Sequence, residues 1–344
     1  MFERPTVFIV GAGASHEVGF PLGTDLKKMV AGKVNIGFKD GWSQSSGDGQ
    51  VAEAIRTSLK KLGERDANPH FSAGRSIAGA MTQAISIDNY LHAHADDARI
   101  IWIGKLGIAR CILEAEANSA LAHNKTYGED FNLSRSEKAW YNTFFQMLTE
   151  GVQRSNLGAL FSNVSIITFN YDRCIEHYLA HALANYYRMP HEEAAQLVQT
   201  LSIIHPYGQV GRLPWQQTGT VRFGKEIHST ELASVAEQLR TFTERVEDEA
   251  MLKRMRDHIS IAEVVVYLGF SYGDMNMELL TVKESANKAI FGTSIGISDA
   301  NRQIIERDII ETMGPSHQVI KRVELPNATC AQLLGNFWRP ILRG

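Results

Sequence analysis

The chain has 344 residues, of which 44% are apolar and 21% are charged. At about 150 residues per domain, this length suits two domain-sized units or one large domain with an insert, and the apolar share excludes low-complexity disorder. The 35 basic and 38 acidic residues leave a net charge of −3, which argues against a dedicated nucleic-acid-binding surface.

Cysteine usage and apolar run lengths restrict the compartment. Cys111, Cys174 and Cys330 form no CxxC pair and no closely spaced even set, so we expect buried thiols rather than disulfides or a cysteine-ligated zinc ion. The four apolar residues before Gly11 are too few for the h-region of a signal peptide, which needs about 7–15. No apolar run approaches the ~20 residues of a membrane span. We therefore expect a soluble, cytoplasmic protein without membrane contact.

Short apolar runs that end in glycine or polar residues recur along the chain. Thr6–Val10 precedes Gly11, and similar runs occupy residues 164–169, 263–268 and 293–297. Such runs indicate strands buried on both faces of a parallel sheet. Helix-forming stretches follow at residues 172–187, 276–289 and 299–312. This alternation predicts an α/β fold with a Rossmann-like, doubly wound parallel sheet.

Residues 38–158 interrupt the alternation. A loop is predicted at residues 41–50, followed by helices at residues 51–62, 86–94, 100–118 and 135–152. We predict a single domain, 1–344, in which a Rossmann core of residues 1–37 and 159–344 carries a large helical insert, 38–158. Residues 230–259 are predicted as one amphipathic helix, whose apolar spacing favours packing on the sheet over a short coiled-coil seam.

The first strand is followed by Gly11-Ala12-Gly13-Ala14-Ser15. Glycines let a backbone turn sharply and approach a ligand closely, and free N–H groups at the start of the next helix suit a phosphate. The dehydrogenase pattern GxGxxG is not met, because position 16 is His. A phosphate cradle and a purely structural turn both remain open for this segment.

Three other segments place polar groups directly after apolar runs. They are Asn170-Tyr171-Asp172, His205-Pro206-Tyr207-Gly208 and Gly269-Phe270-Ser271. Ligands of open α/β sheets bind outside the carboxyl ends of the strands. Asn170 could hold a ribose hydroxyl or a water there, Asp172 could cap the next helix, and His205 is a candidate general base.

In combination these segments resemble the SIR2-like family, the prokaryotic relatives of sirtuins. Gly11–Ser15 resembles the family's GAGxS turn, and Gly19-Phe20-Pro21 resembles the loop after it. Phe169–Asp172 stands where sirtuins carry QN-D, and residues 205–208 stand at the HG motif. Residues 269–271 stand at the G-T/S-S motif, and residues 86–90 resemble a segment of the bacterial branch.

The departures from sirtuin deacylases concern the acyl-lysine chemistry. The four-cysteine zinc ribbon is missing, because residues 208–269 contain no cysteine, and Pro21 is followed by Leu22 rather than Asp-Phe-Arg. Position 169 holds Phe instead of Gln. The resemblance therefore implies the bacterial SIR2-like proteins without a ribbon, which consume NAD+ in anti-phage defence and pair with a HerA-type ATPase or a short Argonaute.

This resemblance implies an NAD+ hydrolase that cleaves the nicotinamide–ribose bond, with NAD+ as substrate and no zinc. The implied catalytic residues are Asn170 and His205. The implied cofactor-binding residues are Gly11, Ala12, Gly13, Ser15, Phe20, Pro21, Asp88, Asp172, Gly269, Ser271 and Asp299. For Asp88, a helix N-cap is an equal alternative to a ribose or nicotinamide contact. Asp299 is expected near the adenosine.

Other possibilities stay open at the level of sequence. The protein could be an NAD-dependent deacylase or ADP-ribosyltransferase, or a non-catalytic subunit that binds NAD or ADP-ribose. A homo-oligomer or a defence partner such as a HerA-type ATPase is expected, since a toxic activity needs restraint. No metal site is expected. His177 and His181 share one helix face, but the sequence shows no third ligand for a metal.

Overall fold

A parallel sheet forms the centre of the protein. The computed structural model describes residues 1–40, 43–123, 131–216, 221–242, 244, 248–284, 287–314 and 320–343. Among these residues, six strands form the sheet in the order β5-β4-β1-β6-β7-β8. The strands are β1 (Thr6–Val10), β4 (Val164–Thr168), β5 (Ser202–Ile204), β6 (Val264–Leu268), β7 (Lys288–Gly292) and β8 (Ile320–Glu324), and β2 (Gly37–Lys39) and β3 (Ser43–Ser46) form a separate antiparallel hairpin.

All residues of β1, β4 and β6 are buried, as expected for strands covered on both faces. Every pairing in the large sheet is parallel. The predicted fold class, α/β with a Rossmann-like parallel sheet and a large helical insert, is confirmed. The strand order changes direction at β1, since β4 lies on one side of it and β6 on the other.

Helices connect the strands and cover the sheet. They are α1 (Ala12–His16), α2 (Gly23–Val34), α3 (Gly49–Lys61), α4 (Asn68–Ala80), α5 (Ile87–Ala93), α6 (Ala98–Asn118), α7 (Trp140–Thr149), α8 (Cys174–Tyr187), α9 (His191–Val198), α10 (Ser229–Ala236), α11 (Glu249–Ile261), α12 (Asp274–Leu280), α13 (Asp299–Thr312), α14 (Cys330–Asn336) and α15 (Trp338–Arg343), and single 3-10 turns occupy Leu133–Ser136 and Arg154–Ala159. No described helix has the length and apolar character of a bilayer span.

Several predicted boundaries are wrong. The expected loop at residues 41–50 contains β3 and the start of α3, while residues 41 and 42 lie outside the described residues. The expected helix 276–289 ends at Leu280, and the strand expected at 293–297 lies earlier, at Lys288–Gly292. A buried lysine explains the last difference, because its charge hides the strand start from a search for apolar runs.

The side chain of Lys288 caps a helix. Its ammonium group donates hydrogen bonds to the carbonyl oxygens of Ile259 and Ala262 at the end of α11, where unpaired carbonyls and the helix dipole favour a cation. Burial lowers the pKa of Lys288 to about 8. The lysine therefore joins the start of β7 to the helix that precedes β6.

The amphipathic helix predicted at residues 230–259 is not continuous: within its described residues, α10 and α11 are separate helices. After α10 the chain leaves the helix, because Leu239 pairs with Gly208 in an antiparallel bridge and Arg240 N–H donates to the carbonyl of Tyr207 at 2.9 Å. α10 packs against α3 and α6. Val246, one of the residues whose apolar spacing predicted this helix, lies outside the described residues.

A buried ion pair joins the insert to the core. Arg173, which precedes α8, donates from Nε to Oε1 of Glu116 at 2.9 Å and from Nη2 to Oε2 at 2.5 Å, and both side chains are fully buried. Arg173 also donates to the carbonyl of Val221 at 2.6 Å. The three predicted thiols are buried and free, and burial raises the pKa of Cys111 to about 12.

Candidate functional site

The register of the sheet brings the carboxyl ends of four strands to one edge. Val10 of β1 lies level with Thr168 of β4 and Leu268 of β6, and Ile167 lies level with Ile204 of β5. The glycine turn, Asn170, His205 and Gly269 follow these positions directly. The structure thus brings together all four segments that the sequence singled out.

The glycine turn packs tightly against the turn after β6. Gly11 N–H donates to the carbonyl of Leu268, and Gly13 N–H donates to that of Gly269, both at 2.9 Å. A Cβ on Gly13 would lie 2.8 Å from Gly269 Cα, and Gly269, at φ +57°, has no room for one because Ala14 N would be 2.0 Å away. Contact between the two turns therefore accounts for these glycines without a ligand.

This packing leaves few backbone N–H groups of the glycine turn free to bind a phosphate. The Gly13 N–H is already used, and α1 has only five residues, so little helix dipole can build up behind the turn. Ala12 is exposed at the first position of α1, and an N–H at that position has no acceptor within its helix. The anion-binding capacity of the turn therefore rests on Ala12.

A buried polar network lies beneath the turn. Asn170 Nδ2 donates to the Gly11 carbonyl at 3.1 Å and to Ser15 Oγ at 3.0 Å. Ser15 in turn donates to Asp172 Oδ2 at 2.7 Å, and the hydroxyl of Tyr141, from the insert, lies 3.2 Å from Ser15 Oγ. Both Asn170 amide protons are therefore committed, while its Oδ1 accepts no hydrogen bond within the described part of the chain.

Asp172 supports both this network and the next helix. Its Oδ1 accepts from Cys174 N–H at 3.0 Å at the start of α8, which agrees with the capping alternative. Burial raises the pKa of the Asp172 carboxyl, and the hydrogen bonds from Ser15 and Cys174 oppose that shift. Asp172 therefore positions Ser15 and α8 from below the turn.

His205 donates from both ring nitrogens. Its Nδ1 lies 3.3 Å from the Asn170 backbone carbonyl and its Nε2 lies 2.9 Å from Glu176 Oε1. Burial disfavours the charged imidazole, but the Glu176 carboxylate outweighs it and raises the pKa of His205. Burial likewise disfavours the Glu176 carboxylate, but His205 outweighs it and lowers the pKa of Glu176. Both partners are acceptors, so an imidazole bonded to both carries a proton on each nitrogen and must lose the Nδ1 proton before it can accept another.

Glu176 is a site residue that sequence reasoning missed. It lies on α8, 29 residues before His205, so no local pattern connects the two. Its second oxygen, Oε2, is buried without a hydrogen-bond partner among the described residues. A buried carboxylate oxygen of this kind is costly, which makes Glu176 a candidate for contact with a ligand.

His205 and Glu176 line an open cleft of about 1590 Å³ beside β5. Charged side chains of both signs line it in equal number, with Arg212, Arg222, Arg240 and Arg254 opposed by Glu176, Glu231, Glu237 and Asp248. Arg240 is paired with Asp248 at 2.6 Å. Asn170 and the glycine turn do not line this cleft. His205 therefore contacts Asn170 on one side and the cleft on the other.

The remaining predicted residues are Phe20, Pro21, Ser271 and Asp299. Phe20 is buried and Pro21 half-buried, and the Phe20 carbonyl lies 2.9 Å from His16 Nδ1. Ser271 is exposed in the turn after β6. Asp299 is exposed on α13, where it forms an ion pair with Arg302 of the same helix at 2.8 Å.

Asp88 is tied to the site through an aromatic residue. Tyr171, next to Asn170, donates from its hydroxyl to Asp88 Oδ1. Ser86, not Asp88, caps α5, because Ser86 Oγ accepts from Asn89 N–H at 3.1 Å. The N-cap alternative for Asp88 is therefore wrong. The Asp88 carboxylate instead contacts the side chain of Tyr171, the residue that follows Asn170.

The histidine pair on α8 has the third neighbour that the sequence did not show. His123, in the segment after α6, brings a ring nitrogen close to nitrogens of His177 and His181, all within 4.8 Å of one another. No metal site was expected because the sequence shows no third ligand beside His177 and His181. That reason is wrong, since His123 lies beside them.

Comparisons with known proteins give little further guidance. No family model and no curated protein matches the chain. Among solved structures, a SIR2 homolog–NAD complex is similar over 98% of this chain and 90% of that chain, with a TM-score of 0.37 and 12% identity. At this level of similarity, the family resemblance rests on the motifs of the chain itself.

Proposed function

We propose that the protein is a SIR2-like NAD+ hydrolase that cleaves the nicotinamide–ribose bond, as an effector of anti-phage defence. The observation that carries the proposal is the contact between Asn170 and both the glycine turn and His205. These groups meet at the carboxyl ends of parallel strands, beside the point where the strand order changes direction, which is where α/β sheets bind dinucleotides.

The binding roles follow from which atoms are uncommitted. The pyrophosphate lies toward Ala12 N–H and the exposed Ser271. Asn170 Oδ1 accepts from a ribose hydroxyl, because its amide nitrogen is held by Gly11 and Ser15. Asp88 contacts the same ribose, held in position by the hydrogen bond from Tyr171. Phe20 and Pro21 shape the loop, and Asp299 contacts the adenosine end.

In the reaction, the bond from ribose C1′ to the nicotinamide nitrogen breaks and nicotinamide leaves as a neutral molecule, so no acid is required. Water adds to C1′ of the oxocarbenium-like ribose and loses a proton, giving ADP-ribose. For His205 to take this proton, its 3.3 Å contact with the Asn170 carbonyl first opens and the Nδ1 proton is lost to solvent, which leaves a neutral imidazole with a lone pair on Nδ1. Glu176 holds Nε2–H and is a positioning residue for that imidazole.

A second candidate function is transfer of ADP-ribose to an acceptor, with deacylation as a related case. The open cleft on the far side of His205 favours it, because an acceptor bound there would reach the same C1′ in place of water. A non-catalytic NAD-binding subunit is the third possibility, and it predicts binding without nicotinamide release.

The test is incubation of the purified full chain with NAD+, followed by quantification of nicotinamide, free ADP-ribose and ADP-ribosylated products. Hydrolysis predicts equal nicotinamide and ADP-ribose, whereas transfer predicts ADP-ribose on an acceptor. His205→Ala is expected to lower turnover about 10²–10⁴-fold. His258→Ala is the control, because His258 contacts Ser202 at the opposite end of β5. Parent-like turnover of His205→Ala refutes the role of His205.

We also propose that the chain acts as a homo-oligomer, held in check by a partner of the HerA-type ATPase kind. An enzyme that a partner keeps inactive needs a trigger that raises the population of its active state. Light scattering of the chain alone gives its oligomeric state. Turnover with and without the products of neighbouring genes tests the restraint.

A further inference from the structure

A cluster of imidazoles joins three parts of the chain away from the strand ends. His177 and His181 lie one turn apart on α8, with ring centroids 4.6 Å apart, and His123 lies 5.7 Å and 5.6 Å from them. One nitrogen from each ring lies within 4.8 Å of the other two. Three nitrogens this close can coordinate one ion after small side-chain movements, since zinc–nitrogen bonds are about 2.0–2.1 Å.

The hydrogen bonding of His177 fixes its tautomer. Its Nε2 lies 3.1 Å from the Leu121 carbonyl, and a carbonyl only accepts, so the proton is on Nε2 and the lone pair is on Nδ1. Metal-binding histidines usually donate their other N–H in this way. The ring also stacks on Phe223, with centroids 4.0 Å apart and planes at 4°, which holds its orientation.

His191 supplies a second, independent observation. It is the first residue of α9, and its ring centroid lies 4.6 Å from that of His181. Its Nε2 is buried with no hydrogen-bond partner among the described residues. A buried nitrogen without a partner is costly, and a metal ion or a metal-bound water beside His181 would satisfy it.

We propose that His123, His177 and His181 bind one divalent transition-metal ion of the zinc class, with His191 beside the fourth coordination position. An all-imidazole donor set suits Zn²⁺, Co²⁺, Ni²⁺ or Cu²⁺ and disfavours Mg²⁺ and Ca²⁺, which require oxygen ligands. The ion fastens the segment after α6 to α8, the helix that also carries Glu176. This metal site does not depend on the proposed NAD+ hydrolysis.

The test uses the full chain, stripped with a chelator and titrated with Zn²⁺ alone and Co²⁺ alone. We expect one equivalent of Zn²⁺ by calorimetry, a rise in Tm on binding, and the visible absorption of four-coordinate Co²⁺. His123→Gln is the first variant, because His123 is exposed and its replacement leaves the fold intact. We expect its Zn²⁺ affinity to fall at least about tenfold, the lower end for loss of a supporting group.

His92→Gln, on α5 outside the cluster, is the matched control and should bind Zn²⁺ like the parent. His181→Gln should also abolish the Co²⁺ spectrum. The proposal is overturned if the stripped parent binds no Zn²⁺, or if His123→Gln and His181→Gln both retain its stoichiometry and affinity. The latter result assigns the binding to histidines elsewhere on the surface.

Discussion

Replacement of Asn170 by alanine separates the structural role of this residue from its proposed catalytic role. The substitution removes two hydrogen bonds, to the Gly11 carbonyl and to Ser15 Oγ. Neither acceptor is left without a partner, because Gly11 still accepts from Ala14 N–H at 3.0 Å and Ser15 retains Tyr141. At about 0.5–1.5 kcal/mol for each bond, the free energy of unfolding should fall by about 1–3 kcal/mol.

That loss is too small to unfold the chain. From a typical stability of about 5–15 kcal/mol, at least about 2 kcal/mol remains, and more than nine-tenths of the molecules stay folded. A fall in turnover of tenfold or more in Asn170→Ala is then not explained by unfolding and supports the proposed contact between Oδ1 and the ribose. We expect NAD+ turnover to fall at least about 100-fold, measured as nicotinamide release alongside urea unfolding.

Asn163→Ala is the matched control. Asn163 precedes β4 as Asn170 follows it, and its Nδ2 donates one hydrogen bond, to the Phe2 carbonyl at 3.0 Å. This variant should lose about 0.5–1.5 kcal/mol of stability with unchanged turnover. If Asn170→Ala turns over NAD+ like the parent, or if both variants lose activity equally, Asn170 does not hold the ribose.

Three further changes test other parts of the molecule. Glu176→Gln removes the charge that raises the pKa of His205. Because that imidazole must be neutral to accept a proton, we expect the rising limb of the pH–rate profile to move to lower pH. Glu116→Ala leaves a buried guanidinium unpaired, so thermal unfolding should show a loss of about 3–5 kcal/mol, or about 4–7 °C in Tm at this length. Gly269→Ala should lower Tm sharply, because a Cβ there would lie 2.0 Å from a backbone nitrogen. Gly273→Ala is the control and should leave Tm unchanged, because the nearest atom to its Cβ is Ser271 Oγ at 3.9 Å. Equal Tm values for the two variants contradict the packing argument.

The strands at the centre of the sheet are predictable because burial on both faces makes them continuously apolar. β1, β4 and β6 satisfy that rule in every residue. β7 breaks the rule at its first residue, since Lys288 is buried through bonds to another helix. The edge strand β8 has two exposed residues, Lys321 and Arg322, and is absent from the prediction for the same reason.

The candidate site shows a similar division between local and distant signals. Asn170 and His205 are identifiable because each follows a strand, and the sheet register places strand ends together. Their partners are not, since Glu176 lies 29 residues from His205 and Tyr141 lies 126 residues from Ser15. His123 could not be predicted as a neighbour of His177 and His181 either, because only the folded chain brings it to α8. The hydrogen bonds of the two His205 ring nitrogens likewise depend on tertiary contacts, which a sequence pattern does not show.

The order of strands in the sheet has a consequence during synthesis on the ribosome. β1 is the first strand made, yet it pairs with β4 and β6, so both of its edges stay open while the polypeptide grows. The Gly13 N–H has no carbonyl to meet until residue 269 has emerged. Such long sequence separations slow folding. A nascent chain interrupted before β6 therefore lacks the backbone contacts that hold the glycine turn in place, and the proposed nucleotide site can form only when translation is nearly complete.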